Sequence, residues 1–195
     1  MFTGIIQAQG NIKEIRASNK GAVFVLNSNS LDLSDISIGD SIAVNGVCLT
    51  VTQLDKNYFS ADVSQETLNC STFSQLKKGQ NINLEKSLRL NQGVDGHIVS
   101  GHVDGVGKIT LIAIEGESTR MKIKVDDNLV KYIAKKGSIC INGVSLTVNE
   151  IDGNVFGVNI VPHTFSVTTL DELKVNSQVN IEIDIIARHI EQLLN

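Results

Sequence analysis

A shift of 97 residues lays the chain on itself without a gap. Asn45-Gly46-Val47-Cys48-Leu49-Thr50-Val51 falls on Asn142-Gly143-Val144-Ser145-Leu146-Thr147-Val148, Gly4 on Gly101, Asp55 on Asp152, Phe59 on Phe156 and Thr67 on Thr164. Roughly twenty of about 86 aligned pairs are identical, several times the chance level for this composition. Matches gather at turns and apolar runs, the mark of one duplicated folding unit. The mismatches carry information too: Cys48 stands opposite Ser145, Glu66 opposite His163 and Ile5 opposite His102. Two similar pockets with different chemistry are expected.

The repeat divides the 195 residues into units 1–97 and 98–195, each large enough for its own core. A net charge of −4 gives no basic excess for nucleic acid or an anionic membrane. No run approaches the roughly 18 apolar residues of a membrane span. The N-terminus lacks signal-peptide regions, so a cytoplasmic location is expected. Cys48, Cys70 and Cys140 are odd in number and far apart, which disfavours a disulfide framework or a zinc knuckle.

Short runs rich in Val and Ile, broken by Gly, Asn and Asp, predict strands. In the first repeat they cover 21–27, 41–44, 48–54, 58–63 and 81–85; in the second, 106–112, 120–125, 138–141, 145–151, 155–160 and 178–183. Asn45-Gly46 and Asn142-Gly143 predict type I′ hairpin turns, because both residues tolerate positive φ. About six strands per repeat at this spacing predict a closed or nearly closed antiparallel barrel. Helix is expected at 128–135, with 34–38 as a degenerate counterpart. The period changes to helical after Asp184, predicting a short C-terminal helix at about 185–194. Its apolar stripe needs a surface, either its own barrel or the tails of other subunits.

Nucleotide-phosphate, nucleophile-elbow and metalloprotease motifs are absent. His97 and His102 lie five apart, an odd separation that sends extended side chains to opposite faces and weakens a shared metal site. Each reads first as a structural histidine. Cys48 and Thr50 share a strand face, as do Ser145 and Thr147. These faces, with Thr67 and Thr164 on neighbouring strands, suit either a small buried thiol site or hydrogen bonding to a heterocycle.

Several segments resemble the riboflavin synthase alpha chain, a family of lumazine-binding duplicated barrels. They are the stretch from Met1 to Ile6, the 41–51 run, Gly96-His97-Ile98-Val99-Ser100-Gly101-His102-Val103-Asp104-Gly105, the 142–148 run, 160–164 and 179–184. The resemblance spans the whole chain, duplication included. It implies an all-β fold of two tandem six-stranded antiparallel Greek-key barrels plus a short C-terminal helix. It also implies a homotrimer whose sites lie between subunits, and leaves open an association with lumazine synthase. The implied reaction moves a four-carbon unit between two molecules of 6,7-dimethyl-8-ribityllumazine, giving riboflavin and 5-amino-6-ribitylaminouracil, with no metal or organic cofactor.

By the same resemblance, the first pocket takes Gly4, Ile5, Ile6, Cys48, Leu49, Thr50, Asp62, Val63, Ser64, Gln65, Glu66 and Thr67. The second takes Gly101, His102, Val103, Lys136, Ser145, Leu146, Thr147, Asn159, Ile160, Val161, Pro162, His163 and Thr164. The chemistry needs a proton removed from the C7 methyl of one lumazine and a nucleophile added at C7 of the other. His102 is the candidate for proton transfer, with Ser41, Cys48, Thr147 and Asp184 as polar participants. Two departures stand out: Ser64-Gln65 where many relatives have Met-Pro, and Asp95 where a Gly is common. The rival reading is a non-enzymatic fluorescent antenna on the same scaffold. A flavin-binding oxidoreductase barrel would need a phosphate signature this chain lacks. A purely structural repeat would leave the unlike replacements unexplained.

Overall fold

The computed structural model describes residues 1–18 and 20–194. The first repeat forms β1 (Ala8–Ser18), β2 (Gly21–Asn27), β3 (Ser41–Val44), β4 (Val47–Leu54), β5 (Tyr58–Ser64), the short helix α1 (Gln65–Cys70) and β6 (Asn81–Lys86). The second forms β7 (Gly105–Glu115), β8 (Ser118–Lys124), α2 (Asp127–Val130), β9 (Ser138–Ile141), β10 (Val144–Asp152), β11 (Val155–Ile160), α3 (Pro162–Val167) and β12 (Gln178–Ile183). Helix α4 (Ile185–Leu194) follows. Each set of six strands closes into an antiparallel barrel, in the order β1-β2-β5-β4-β3-β6 and its equivalent.

The duplication reaches into the cores. Ile12, Leu26, Ile42, Val51, Phe59 and Ile82 fill the first barrel, and their counterparts Ile109, Ile123, Ile139, Val148, Phe156 and Val179 fill the second. Even the irregularities repeat. β-Bulges fall between Ile12 and Glu14 and between Ile109 and Leu111, and again after Val51 and after Val148. A bulge sharpens strand twist, which helps six short strands close.

Strand β1 was not expected; its far half, Glu14-Ile15-Arg16-Ala17-Ser18, is exposed and mixes charges with apolar residues, so neither face stands out. The helix expected at 128–135 shortens to α2 and a turn, and 34–38 forms turns without helix.

The barrels meet about a pseudo-twofold axis on which equivalent residues touch one another. Phe2 pairs with its own counterpart Val99: the Phe2 N–H donates to the Val99 carbonyl at 2.7 Å and the Val99 N–H to the Phe2 carbonyl at 3.0 Å. Both side chains are buried, in a small cluster with Ala43 and Cys140. Two buried asparagines tie the barrels across the same axis. Asn83 Nδ2 donates to the Asn142 carbonyl (2.9 Å) while its Oδ1 accepts from the Thr169 N–H (2.8 Å). Asn180 does the same toward the Asn45 carbonyl and the Thr72 N–H, both at 2.8 Å. Buried amides with all their partners fix one relative placement, since any other leaves polar groups unpaired.

The two Asn-Gly turns have positive φ at both positions, 45° and 80° in the first and 47° and 84° in the second, as type I′ requires. Here glycine also serves a second purpose. A Cβ on Gly46 would lie 2.7 Å from the Gly143 nitrogen, so the turns touch backbone to backbone.

Helix α4 packs its polar side on the second barrel. Arg188 pairs with Asp104 at 2.5 Å, and Glu191 meets Lys131 and Tyr132. Ile186 and Leu193 are exposed, Leu193 to 85 %, while the partly exposed Ile190 and Leu194 line a hollow with Tyr132 and Ala134 of the second barrel.

Gly46→Ala combines a left-handed penalty of about 1–2 kcal/mol with the clash at Gly143 and should cost more than about 2 kcal/mol in urea unfolding. Gly79 has φ 84° but open space around it, and its counterpart Asn176 holds φ 77°. Gly79→Asn should therefore cost less than about 1 kcal/mol.

Candidate active site

The segments that lead into the two barrels change places. Ser145, at the start of β10, donates its N–H to the Gly4 carbonyl (2.8 Å), and Cys48, at the start of β4, donates to the Gly101 carbonyl (2.9 Å). Ile6 accordingly packs on the core of the second barrel and Val103 on that of the first. The approach is close: a Cβ on Gly4 would lie 2.5 Å from Ser145 Cβ, and one on Gly101 would lie 2.6 Å from Cys48 Cβ. Both glycines have φ near +80°. The pocket grouping expected from the sequence is thus corrected. Gly101, His102 and Val103 belong with Cys48, Glu66 and Thr67, all six around a cleft of about 190 Å3. Gly4 and Ile6 move to the side of Ser145 and the second core, while Ile5 lines a hollow with Thr3, Glu85 and Lys86. The cause is the pseudo-twofold pairing at Phe2 and Val99, which carries each lead-in across the axis.

Two buried carboxylates hold the crossing strands. Glu85 on β6 accepts from the Thr3 N–H (2.7 Å), the Thr3 hydroxyl (2.8 Å) and the Gly4 N–H (3.1 Å). Glu182 on β12 accepts from the Ser100 N–H and hydroxyl (both 2.6 Å) and the Gly101 N–H (2.9 Å). Charge-assisted bonds of this kind are about twice as strong as neutral ones. Both carboxylates therefore set the position of a pocket lip.

Residues 3–87 and 100–184 each match the lumazine binding domain family. The chain is 47% identical over 194 residues to the riboflavin synthase of Photobacterium phosphoreum, covering 100% of this chain and 89% of that one. It is 39% identical to the riboflavin synthase of Bacillus subtilis (strain 168), covering 100% and 90%. The chain belongs to the riboflavin synthase family. Among solved structures, LumP complexed with 6,7-dimethyl-8-(1'-D-ribityl) lumazine superposes with a TM-score of 0.84 at 28% identity, covering 94% of this chain and 99% of that one. LumP complexed with riboflavin gives 0.85 at 29%, with the same coverage.

Within this riboflavin synthase family chain, the candidate residues fall into two sets of unlike surroundings. At the first cleft, Thr67 lies on α1 rather than on a strand. Ser64 caps that helix, its hydroxyl accepting from the Thr67 N–H at 3.1 Å and lying 3.0 Å from Thr67 Oγ1. Thr164 likewise lies on α3, which Pro162 opens after Val161. The expectation of neighbouring strands fails for both threonines because the chain turns into one helical turn after β5 and after β11. Glu66 accepts from Cys70 Sγ at 3.0 Å, and that bond pushes the Cys70 thiol pKa up. Leu49 is buried in the first core, whereas Thr50 beside it is exposed and pairs with Ser41 across β3 and β4.

In the second set, Thr147 is exposed and pairs with Ser138, the counterpart of Ser41. Lys136 holds φ 69° where the first repeat has Gly39, a conformation costly for a lysine. Asp62 and Asn159 occupy equivalent sites on β5 and β11, and Asn159 Nδ2 donates to Glu115 (2.8 Å). Val63 and Ile160 are buried; Gln65, Val161 and His163 are exposed on the helix side. Asp184 caps α4 by accepting from the Ile186 N–H at 2.9 Å. His102 lines the cleft with Cys48, while Ser41, Thr147, Lys136 and Asp184 are not among that cleft's lining residues. Among the described residues no cluster of three or more His, Cys, Asp or Glu could hold a metal.

His97, read from the sequence as structural, lies in the loop directly before the exchanged segment with its Nδ1 2.7 Å from Ser145 Oγ.

Burial raises the Glu85 pKa, and the bonds from Thr3 and Gly4 pull it back only in part. With the folded value above the unfolded one, its favourable contribution is complete below the unfolded pKa and is lost as pH rises through the folded one. Glu85→Gln turns an amide NH2 toward donors and should cost about 1–3 kcal/mol. In denaturant unfolding across pH, the gap from wild type should narrow as pH rises.

Proposed function

We propose that the protein is a riboflavin synthase: it binds two molecules of 6,7-dimethyl-8-ribityllumazine and transfers a four-carbon unit between them. The products are riboflavin and 5-amino-6-(D-ribitylamino)uracil. The observation that carries this reading is full-length identity of 39–47% to proteins of that name. On this reading each unit, 1–97 and 98–195, holds one lumazine. Like substrates call for like pockets, and opposite roles call for different reactive groups within them. Cys48 and Glu66 of the first barrel stand opposite Ser145 and His163 of the second, and the exchanged lead-ins add His102 opposite Ile5.

His102 is the group proposed to move the proton of the C7 methyl, and Cys48, Ser41, Thr147 and Asp184 are the polar participants. The electron-poor lumazine ring itself stabilises the resulting carbanion, so no further cofactor is required. Backbone groups around Cys48-Leu49-Thr50 and Ser145-Leu146-Thr147 read the pyrimidine edges. Asp62, Asn159, Thr67 and Thr164 suit the ribityl hydroxyls. Holding two large reactants in register accounts for up to about 7–11 kcal/mol of barrier lowering.

We place the enzyme in the cytoplasm as a homotrimer, with the first pocket of one subunit facing the second pocket of a neighbour. The apolar residues of α4 support the assembly, because Ile186, Ile190, Leu193 and Leu194 are each more than half exposed. No described helix is long and apolar enough to cross a membrane.

Purified protein given the lumazine, without added cofactor, should release one riboflavin for every two lumazines consumed. Tight fluorescent binding without turnover would instead place it with the LumP-like antennas, a reading that the two LumP complexes at 28–29% identity make the natural competitor. His102→Ala should lower kcat at least tenfold, and a loss under twofold sinks the proton-transfer role. Leu193→Asp should shift the sedimentation coefficient from trimer toward monomer.

A further inference from the structure

Asp104 ends the lead-in that crosses to the first pocket, directly after the cleft residues His102 and Val103. Its repeat counterpart is Gln7, and the two positions make the same bonds. The Gln7 N–H donates to the Leu84 carbonyl at 3.0 Å, and its Oε1 accepts from the Lys86 N–H at 2.9 Å. The Asp104 N–H donates to the Ile181 carbonyl at 2.8 Å, and its Oδ2 accepts from the Ile183 N–H at 2.9 Å. A neutral amide oxygen therefore suffices to seat a lead-in on the last strand of its own barrel. The second repeat puts a charge there instead, and puts it under cover: Gln7 is exposed, whereas the Asp104 side chain is only 11 % exposed.

The other carboxylate oxygen explains the charge. Asp104 Oδ1 meets Arg188 Nη2 at 2.5 Å, and Arg188 belongs to α4, which lies beyond the last aligned strand of the repeat. We propose that Asp104 and Arg188 are positioning residues for the first pocket: the pair ties the C-terminal helix to the lead-in and so holds in place the wall formed by His102 and Val103. This rests on the reading of the site as a riboflavin synthase, in which His102 moves the proton. Neither member of the pair lines the cleft. Both act through the wall beside them.

Helix α4 is anchored well enough to serve. Asp184 caps its first turn by accepting from the Ile186 N–H, and Glu191, three residues after Arg188, meets Lys131 and Tyr132. Arg188 and Glu191 share one helix face, so both engage the second barrel together. Burial raises the Asp104 pKa, and the Ile183 N–H and Arg188 pull it back. A carboxylate here is thus less favourable than the glutamine of the sister repeat unless the guanidinium is present. Because Arg188 is exposed, the pair adds little net stability. What it adds is direction, since the planar guanidinium holds a carboxylate in a defined geometry. The wall is then fixed at both ends, by Glu182 at Gly101 and by Arg188 at Asp104.

The first repeat supplies an internal control. In hydrogen exchange of the full chain, Arg188→Ala should speed the Gly101 and Asp104 amides at least about fivefold, while the equivalent Gly4 and Gln7 amides keep their wild-type rates. Unchanged exchange at Gly101 and Asp104 overturns the proposal whatever the activity. Equal acceleration at Gly4 and Gln7 marks general loosening and overturns it too. Asp104→Asn keeps an oxygen for the Ile183 N–H but turns an NH2 toward Arg188, and should reproduce the same exchange pattern. In steady-state assays with 6,7-dimethyl-8-ribityllumazine, each single variant should lower kcat at least about fivefold, and the double variant should be no slower than the slower single one. Fully additive losses, or wild-type kcat in both, contradict the pairing. Asp104→Asn should also keep the wild-type sedimentation coefficient; if its losses come only with dissociation, the pair serves assembly and the proposal fails. Wild-type protein that binds the lumazine without turnover would remove the synthase reading, while the exchange comparison would still decide whether the pair holds the wall.

Discussion

The chain depends on a single antiparallel contact, Phe2 against Val99, in which a residue pairs with its own repeat counterpart. A contact of this kind must lie on the symmetry axis. It carries the two lead-in segments past one another, so that each barrel receives the strand end of the other. Glu85 and Glu182 lock the crossing, and the Asn83 and Asn180 amides lock the far side of the same axis. Between these fixings the Asn-Gly turns lie backbone on backbone. The relative placement of the barrels and the composition of both pockets are therefore one structural fact.

The energetics separate along the same division. Each barrel has its own sealed apolar core, filled at equivalent positions by residues of similar volume, and this gives the hydrophobic term of stability. The contacts between the barrels are mostly polar, buried and directional. Such contacts add little net energy when complete and cost much when broken. They are suited to specifying an arrangement rather than to driving collapse. The sites sit where that specificity is greatest, at glycines with no room for another side chain.

Much of this was legible in the amino-acid order. The Val- and Ile-rich runs mark β2, β3, β9, β11 and β12, because a strand facing one core must alternate or run apolar. Asn45-Gly46 and Asn142-Gly143 announce their turns by composition alone. Strand β1 escaped notice since its outer half covers no core and mixes charge with apolar side chains. Helices α1 and α3 are a turn and a half long and bury nothing, so no period betrays them, although Ser64 three residues before Thr67 is the spacing of an N-cap. The exchange of lead-ins is invisible in principle. Two barrels of one topology offer equivalent edges, and the local sequence around Gly4 or Gly101 does not say which edge it meets. Only the closure of the whole chain decides. The bond from His97 was obscured for the same reason, its partner Ser145 lying 48 residues away on the barrel to which it seemed merely to lead.

The crossing has a consequence for the order in which the protein is made. Every strand of the first barrel has been synthesised once Lys86 is added, yet its cleft lacks a wall until Gly101, His102 and Val103 follow. The earliest residues, meanwhile, must wait for Ser145 before their own docking surface exists. Contacts such as Gly4 to Ser145 and Asn45 to Asn180 span most of the chain, and long loops closed late slow folding. A nascent chain halted between the repeats would thus hold a formed barrel with a gaping pocket and an unattached apolar Phe2. Because Glu182 on β12 holds Gly101, the lip of the first cleft reaches its final place only when the last strand of the second barrel has been made.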